Sequence, residues 1–261
     1  MLTLAHKVIV IVGGTTGLGL SAARACVRAG ARCLLIGRNP ESLAGALGEL
    51  GSAALGLAGD ASSPEVSVRG IQMALDAWGG FDGLYHVAGG SGRKFGDGPL
   101  HEITDEGIDY TLDLNLKSVI YSNRAAVQQF LARKTAGAIL NMASVLGFSP
   151  APKHFATHAY AAAKAGIIGF SKSAAACYAP HDIRVNVLAP ALVDTPMARR
   201  AVNNDEISRY IRGKQPLDGG RAGLPEDLDA ATVWLLSDQS RFVTGQVLAI
   251  DGGWCVSEGP S

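Results

Sequence analysis

Two side chains suited to proton transfer stand four residues apart near the middle of the chain. Tyr160 and Lys164 enclose a run of alanines, and because alanine has the highest helix propensity, the run predicts a helix. Residues i and i+4 share a helix face, so the ammonium should lie about one turn from the phenol. A nearby cation favours the phenolate, and we expect Lys164 to lower the pKa of Tyr160 from its usual ~10. Tyr160 is therefore a candidate general acid/base near neutral pH.

The same five residues also fit a helix without chemistry, so the surrounding elements decide the interpretation. Apolar, β-branched runs such as 8–12 alternate with helix-forming stretches along the chain, which favours a parallel sheet covered by helices on both faces. No linker or repeat divides residues 1–261. We predict an α/β, single-domain Rossmann fold with a doubly wound sheet of about seven strands. The polar stretch 194–223 should form a mobile helical flap. A long helix should span about 105–134, and a break near its start is left open.

The composition excludes several classes of function. The chain has 261 residues, of which 23 are basic and 23 acidic, so the formal net charge is zero and nothing favours nucleic acid as a partner. No apolar run approaches the ~20 residues of a membrane span, and the N-terminus lacks a signal-peptide pattern. We expect a cytoplasmic protein without membrane contact. The scattered Cys26, Cys33, Cys177 and Cys255 should be reduced thiols, with no metal site.

A glycine-rich turn, containing Gly13, Gly17 and Gly19, follows the first predicted strand. Such a turn lets the backbone approach a pyrophosphate, which the amides and positive dipole end of the next helix would bind. At the end of the second strand, enzymes that use NAD commonly have an acidic residue that binds the ribose 2′-hydroxyl. This chain has Gly37 and Arg38 there. A guanidinium binds a phosphate dianion through paired donors, so we predict NADP(H) rather than NAD(H) as the cofactor.

The motifs, in their order along the chain, resemble those of the short-chain dehydrogenase/reductase family. The resemblance covers nearly the whole chain and is carried by segments 12–19, 60–61, 114–116, 141–144, 160–164, 190–195, 243–246 and 251–253. It implies four catalytic residues, Asn115, Ser144, Tyr160 and Lys164. It implies that the cofactor contacts Gly13, Thr15, Thr16, Gly17, Leu18, Gly19, Arg38, Asp60, Ala61, Ala88, Gly89, Asn115, Tyr160, Lys164, Pro190, Val193 and Thr195.

The resemblance also implies a reaction, the interconversion of a ketone and a secondary alcohol by hydride transfer. Tyr160 would protonate the carbonyl oxygen, and Ser144 would orient that oxygen and stabilise developing charge. Lys164 would hydrogen-bond the nicotinamide ribose, and Asn115 would hold a water that links Lys164 to solvent. Many members of the family assemble as homotetramers or homodimers through two long helices and the last strand, and we expect the same here.

Two departures from the family pattern concern histidines. Where the family has paired asparagines after the fourth strand, this chain has His86 and Val87, and we expect His86 to be buried and hydrogen-bonded to backbone. The loop between Ser144 and Tyr160 is also longer than is common. It places His154, Phe155 and His158 near the expected pocket mouth, where contact with substrate stays open.

The sequence defines the substrate less well than it defines the reaction. The C-terminal half is similar to bacterial β-ketoacyl-carrier-protein reductases, yet Gln128 and Ala176 stand where those enzymes have arginines that hold the acidic carrier. We therefore favour a small free ketone over a carrier-bound one. An anionic substrate is left open by the cations of the flap and the earlier loop, although such charges usually face solvent: Arg93, Lys94, Arg199, Arg200, Arg209, Arg212, Lys214 and Arg221. The same fold could also serve a non-catalytic NADP(H)-binding sensor or scaffold, or an epimerase or dehydratase.

Overall fold

Seven strands form one sheet in the computed structural model, which describes residues 3–259; the first two and last two residues of the predicted domain lie outside this range. The strands are β1 (Val8–Val12), β2 (Arg32–Gly37), β3 (Ala54–Ala58), β4 (Gly83–His86), β5 (Gly137–Met142), β6 (Ile183–Pro190) and β7 (Val247–Ile250). Their order in the sheet is β3-β2-β1-β4-β5-β6-β7, and every neighbouring pair is parallel. The predicted doubly wound α/β fold is confirmed.

Helices cover both faces of this sheet. They are α1 (Gly17–Arg28), α2 (Pro40–Leu50), α3 (Pro64–Trp78), α4 (Asp105–Leu112), α5 (Ser118–Arg133), α6 (His158–Tyr178), α7 (Arg199–Val202), α8 (Asp205–Lys214) and α9 (Asp229–Leu236). Along β1, Ile9 and Ile11 join a core cluster with residues of α1, α2 and α9, whereas Val10 and Val12 join one with residues of α3 and α5. Because successive strand residues point to opposite faces, an unbroken apolar run fits burial on both sides.

The predicted helix over 105–134 is divided. A π-helical turn, Asp113–Lys117, separates α4 from α5 and contains Asn115. Single π-helical turns inside helices frequently occur at functional sites. The division therefore places a candidate catalytic residue where the backbone departs from regular helix.

The predicted flap contains α7 and α8, so its helical character is confirmed. Its apolar residues are packed: Ala201, Ile207 and Ile211 form a cluster with Val145 and Trp254. The flap is thereby joined to the loop after β5 and to the C-terminal turn.

Several compositional expectations can be compared with the structure. All four cysteines are free thiols. Within residues 3–259, no helix has the length and apolarity needed to cross a membrane. Over the same range, no cluster of His, Cys, Asp and Glu side chains could hold a metal ion.

Candidate active site

Tyr160 and Lys164 lie in the first two turns of α6, on the same side of the helix. The Lys164 Nζ atom lies 5.4 Å from the centroid of the Tyr160 ring. It donates a hydrogen bond of 3.0 Å to the main-chain oxygen of Met142, the last residue of β5. The lysine is buried, whereas Tyr160 is partly accessible. The i, i+4 spacing therefore produces the predicted juxtaposition, and the ammonium fixes α6 to the end of a central strand.

The predicted effect of Lys164 on the pKa of Tyr160 is wrong for this arrangement. Burial raises the pKa of Tyr160 to about 12, and a side-chain hydrogen bond with Ser144 opposes this only in part. The Lys164 amine lies over the ring and is itself desolvated, and burial lowers the pKa of Lys164 to about 7. Burial disfavours the charged phenolate, and at Tyr160 this effect outweighs the hydrogen bond that favours it. Tyr160 is therefore a protonated phenol at neutral pH.

Ser144 lies two residues after the end of β5, beside the phenol. Its buried hydroxyl is 3.4 Å from the main-chain oxygen of Pro190, to which it donates, and it accepts from the amide of Leu146 at 3.2 Å. Pro190 is the last residue of β6. Two adjacent strand ends thus hold the serine at a fixed place next to Tyr160.

Asn115 is wholly buried, and its carboxamide is engaged with main chain. The side-chain NH₂ group donates to the carbonyl oxygens of Gly90, at 2.9 Å, and Thr111, at 2.8 Å. The side-chain oxygen accepts from the amide of Gly90 at 3.1 Å. The residue therefore ties the segment after β4 to the π-helical turn. Both hydrogens of the NH₂ group are engaged, so that group has no donor left for a water. A water relay through another atom of Asn115 stays a prediction.

Two cavities meet at the carboxyl ends of the strands, where β1 separates the two halves of the sheet, as expected for a doubly wound fold. The nucleotide cavity, of about 210 Å³, is lined by Gly13, Thr15, Thr16, Gly17, Leu18, Arg38, Asp60, Ala61, Ala88 and Gly89 among the predicted cofactor residues. The catalytic cavity, of about 190 Å³, is lined by Ser144, Tyr160, Lys164, Pro190, Val193 and Thr195 among the predicted residues. Leu18, Gly89 and Thr195 line both cavities, which are therefore continuous.

The glycine turn provides the features that a dinucleotide requires. Helix α1 begins at Gly17, and its N-cap residue Thr16 makes no side-chain capping bond, so the first amides are available to an anion. A side chain at Gly19 would place its Cβ 2.0 Å from the carbonyl oxygen of Gly13. Gly19 therefore allows the turn to close but lines neither cavity, and Asn115 also lines neither. The residues present fit a nicotinamide dinucleotide.

Comparisons with known proteins agree with this geometry. A solved short-chain type dehydrogenase/reductase from Mycobacterium ulcerans is 30% identical and superimposes with a TM-score of 0.90, covering 100% of this chain and 94% of that one. A family profile described as enoyl-(acyl carrier protein) reductase matches residues 12–255. The chain belongs to the short-chain dehydrogenase/reductase family. The predicted resemblance is confirmed, and with it an oxidoreductase that acts on CH–OH groups and binds a nicotinamide cofactor.

The curated relatives of this short-chain dehydrogenase/reductase act on different substrates. The chain is 33% identical to a 2,5-dichloro-2,5-cyclohexadiene-1,4-diol dehydrogenase of Sphingobium indicum, over 97% of this chain and 99% of the relative. It is 34% identical to a 3-oxoacyl-acyl-carrier-protein reductase of Chlamydia muridarum, over 96% and 98% respectively. Similar identity to a diol dehydrogenase and to a carrier-protein reductase leaves the substrate to be argued from the site.

Sequence reasoning missed a carboxylate that holds the catalytic helix. The buried Asp97 accepts hydrogen bonds from the amides of Ala159, at 3.1 Å, and Tyr160, at 3.0 Å. It satisfies first-turn donors of α6 from a loop 62 residues away in sequence, and its charge is favourable at a helix N-terminus. No local motif in the sequence marks this contact.

Sequence reasoning also missed most of the cavity wall. Met197 and Trp254 supply apolar surface that the sequence did not predict. Phe155, from the loop expected at the pocket mouth, and Arg93 and Arg200, from the cations considered for an anionic substrate, also line the cavity. Trp254 is held in place because its Nε1 atom donates to the main-chain oxygen of Ser149 at 3.2 Å. These contacts join segments that are distant along the chain, so no spacing in the sequence reports them.

The histidines occupy structural positions. His86 is fully buried and has the expected backbone hydrogen bond, to Ala88, together with contacts to the hydroxyls of Ser122, at 2.7 Å, and Ser118, at 3.2 Å. Burial, together with the charge of Lys164, lowers the pKa of His86 to about 3.

The two loop histidines do not line the catalytic cavity. His154 packs against the Tyr210 ring with centroids 4.8 Å apart. The Nδ1 atom of His158 donates to the carbonyl oxygen of Gly98 at 3.1 Å. Both lie behind the cavity wall, to which the neighbouring Phe155 and Thr157 contribute.

Proposed function

We propose that this protein is an NADP(H)-dependent oxidoreductase that interconverts a small ketone and a secondary alcohol. One observation carries the proposal: Ser144, Tyr160 and Lys164 line an apolar cavity that is continuous with the glycine-lined nucleotide cavity. A carbonyl group there would meet a phenolic donor and a serine hydroxyl at the same point. At about 190 Å³ the cavity is smaller than the ~300 Å³ typical of small-molecule sites, which favours a small substrate.

The preference for NADP(H) is argued from the end of β2. A Cβ at Gly37 would lie 2.5 Å from the Thr15 side chain, so an acidic residue that binds the ribose 2′-hydroxyl does not fit there. The exposed Arg38 lines the nucleotide cavity, and its nearest carboxylate, Asp60, is 3.8 Å away. At that distance the pair is loose and exposed, so its contribution is small. The guanidinium is therefore available for a 2′-phosphate.

The side chains divide the acid/base work. A bound nicotinamide cofactor would supply or accept the hydride. Tyr160, protonated at neutral pH, is suited to donate its proton to the carbonyl oxygen during reduction. Ser144 would donate a hydrogen bond to the same oxygen and so stabilise its developing charge. Lys164, with a pKa near 7, can carry or release a proton beside the phenol.

A carrier-bound substrate is less well supported. Gln128 on α5 and Ala176 on α6 are both exposed and uncharged. An acidic carrier protein would find no cation at the positions that the similar reductases use for steering.

We also propose a homotetramer or homodimer. The edge strand β7 pairs only with β6 in the sheet, and near it Phe242 and Val256 are almost fully exposed apolar residues. Exposed apolar surface of this kind is typical of protein–protein contacts. Molar mass measured by light scattering tests this assignment.

The experiment that tests the enzymatic proposal is a panel of small ketones and secondary alcohols with NADPH, NADH and their oxidised forms, followed by absorbance. We expect turnover of at least one ketone with NADPH and weaker turnover with NADH. The Tyr160→Phe variant serves as the control for background reduction. Tight binding of NADPH without turnover of any carbonyl compound would instead support a sensor or scaffold.

A further inference from the structure

The catalytic cavity is lined by cations without a matching acid. Three of its lining residues, Arg93, Lys164 and Arg200, carry basic side chains, and none of the described residues that line it is Asp or Glu. The rest of the wall is mainly apolar. Lys164 belongs to the catalytic group, so the two arginines are not explained by the acid/base chemistry.

The two arginines reach the cavity from different parts of the chain. Arg93 lies on the turn Gly92–Phe95 after β4, is half-buried, and donates to the main-chain oxygen of His154 at 3.4 Å. Arg200 lies on α7 of the flap and is exposed; it makes no hydrogen bond and no ion pair with any residue in the described range 3–259. The cavity is thus bordered by two guanidiniums that no protein carboxylate neutralises directly.

Other cations of the flap are differently placed. Arg221 pairs with Asp218 and Asp227, and Lys214 donates to the main-chain oxygen of Ser257. Arg199, next to Arg200, is exposed but does not line the cavity. Position at the cavity therefore distinguishes Arg93 and Arg200 from the rest, and Arg199 offers a matched control.

The direction of the pKa shift of Arg93 fits a guanidinium that no nearby negative charge fully balances. Burial lowers the pKa of Arg93, the positive charge of Arg200 lowers it further, and Asp97 opposes both. The carboxylate of Asp97 is already held by the amides of Ala159 and Tyr160. An anion between the two guanidiniums would relieve their repulsion and satisfy donors that have no acceptor in the protein.

We propose that Arg93 and Arg200 form an anion-binding subsite of the catalytic cavity, so that the substrate carries a carboxylate, sulfonate or phosphate group beside its ketone or alcohol. This inference rests on the proposed function. The apolar body of the substrate would lie against Phe155 and Trp254, with the carbonyl group at Ser144 and Tyr160 and the anion at the arginines. Guanidiniums suit this task because they offer paired donors to planar or tetrahedral oxyanions.

The kinetic test compares 4-oxopentanoate with its methyl ester, and with the sulfonate and phosphate analogues of the same chain length. In the wild-type protein we expect kcat/KM for the best anion to exceed that for the ester by at least about tenfold. In Arg200→Met and Arg93→Met, KM for the anion should rise about 10- to 100-fold, and the ratio of kcat/KM for the anion to that for the ester should fall by a similar factor. Arg199→Met, the control, should behave as wild type. Which analogue is best identifies the anion.

The inference is overturned if the ester is used as well as the anions, or if Arg200→Met impairs ester and anion equally. A binding measurement tests the anion subsite independently of the proposed function, because it requires no turnover. Calorimetry compares pentanoate, pentanesulfonate and pentyl phosphate with neutral pentanamide, none of which is a ketone. Tighter binding of an anion that is lost in Arg200→Met supports the subsite even if no ketone is reduced. Equal binding of anions and amide overturns the subsite, whether or not ketones are reduced.

Discussion

The nucleotide cavity and the catalytic cavity adjoin but are built in different ways. The first is formed by short turns at the ends of β1, β2, β3 and β4, with much of its wall provided by glycines and other small residues. The second takes Ser144 and Pro190 from strand ends and Tyr160 and Lys164 from α6, but much of the rest of its wall comes from loops, the flap and the C-terminal turn. The sheet therefore positions the residues for chemistry common to the family, whereas the loops set what is accepted as substrate.

Replacement of Tyr160 by Phe should have the largest effect on turnover. The effect should fall on the catalytic cavity and not on the nucleotide cavity. The change removes the proton donor without removing the ring, so we expect kcat to fall about 10³-fold. Affinity for NADPH, measured by fluorescence titration, should change less than about threefold, because that cavity is lined mainly by other residues. Turnover within tenfold of wild type would show that another group supplies the proton.

Replacement of Arg38 by Asp should alter the nucleotide cavity alone. Loss of the guanidinium and gain of a repelling charge should lower the ratio of kcat/KM with NADPH to that with NADH by about 100-fold. The ketone KM with saturating cofactor should stay near wild type. Arg69→Asp makes the same charge change on an exposed part of α3 outside both cavities and should leave the ratio unaltered. If both variants behave alike, the preference does not arise at Arg38.

The difference in construction between the two cavities also explains which of their residues could be predicted from the sequence. The nucleotide cavity depends on contacts between residues that are close in sequence or follow consecutive strands, so glycine spacing and strand ends were sufficient to find it. The Tyr160 and Lys164 pair was found for the same reason, since helical periodicity fixes it. The sign of the pKa shift at Tyr160 was not predictable, because burial depends on the packing of the whole cavity rather than on the spacing of two side chains.

The catalytic cavity depends instead on contacts between distant segments. Asp97 reaches α6 across 62 residues, and Trp254 bonds to Ser149 across 105. Loops of this kind carry no periodic pattern, so neither contact leaves a mark in the sequence. Eight loop and flap cations looked equivalent in the sequence, and only the fold separates Arg93 and Arg200 from the others.

Replacement of Asp97 by Ala should weaken the contact between the loop after β4 and the catalytic helix α6. Two amides at the start of α6 would lose their acceptor, at a cost of about 1–2 kcal/mol in the free energy of unfolding. Because Tyr160 is one of the two donors, we also expect kcat to fall about tenfold, a misplacement effect. Asp97→Asn retains one acceptor oxygen and should recover part of both losses. Urea unfolding measures the loss of stability, and steady-state kinetics measure the loss of kcat. An unchanged kcat in the alanine variant would show that Asp97 stabilises the helix without positioning Tyr160 for catalysis.

Replacement of His86 by Asn should have the smallest effect on turnover and a distinct effect on acid stability. His86 lies at the end of β4, buried against α5 and outside the lining of both cavities, so kcat at pH 7 should stay within about threefold of wild type. Its folded pKa of about 3 is below the ordinary value of 6.5. As the pH falls below 6.5, the unfolded chain binds a proton that the folded protein does not bind until about pH 3. Stability is therefore lost over that window, by up to about 1.4 kcal/mol per pH unit.

The variant lacks this proton uptake, so its free energy of unfolding should decline less between pH 6.5 and pH 4.5, by about 2–3 kcal/mol relative to wild type. Urea unfolding at the two pH values gives the difference, in which contributions from all other groups cancel. The control is His101→Asn, which removes a histidine at an exposed position. Equal declines in wild type and His86→Asn would mean that the histidine is charged in the folded protein. Its bonds to Ser118 and Ser122 would then have to be those of an imidazolium, which donates from both nitrogens.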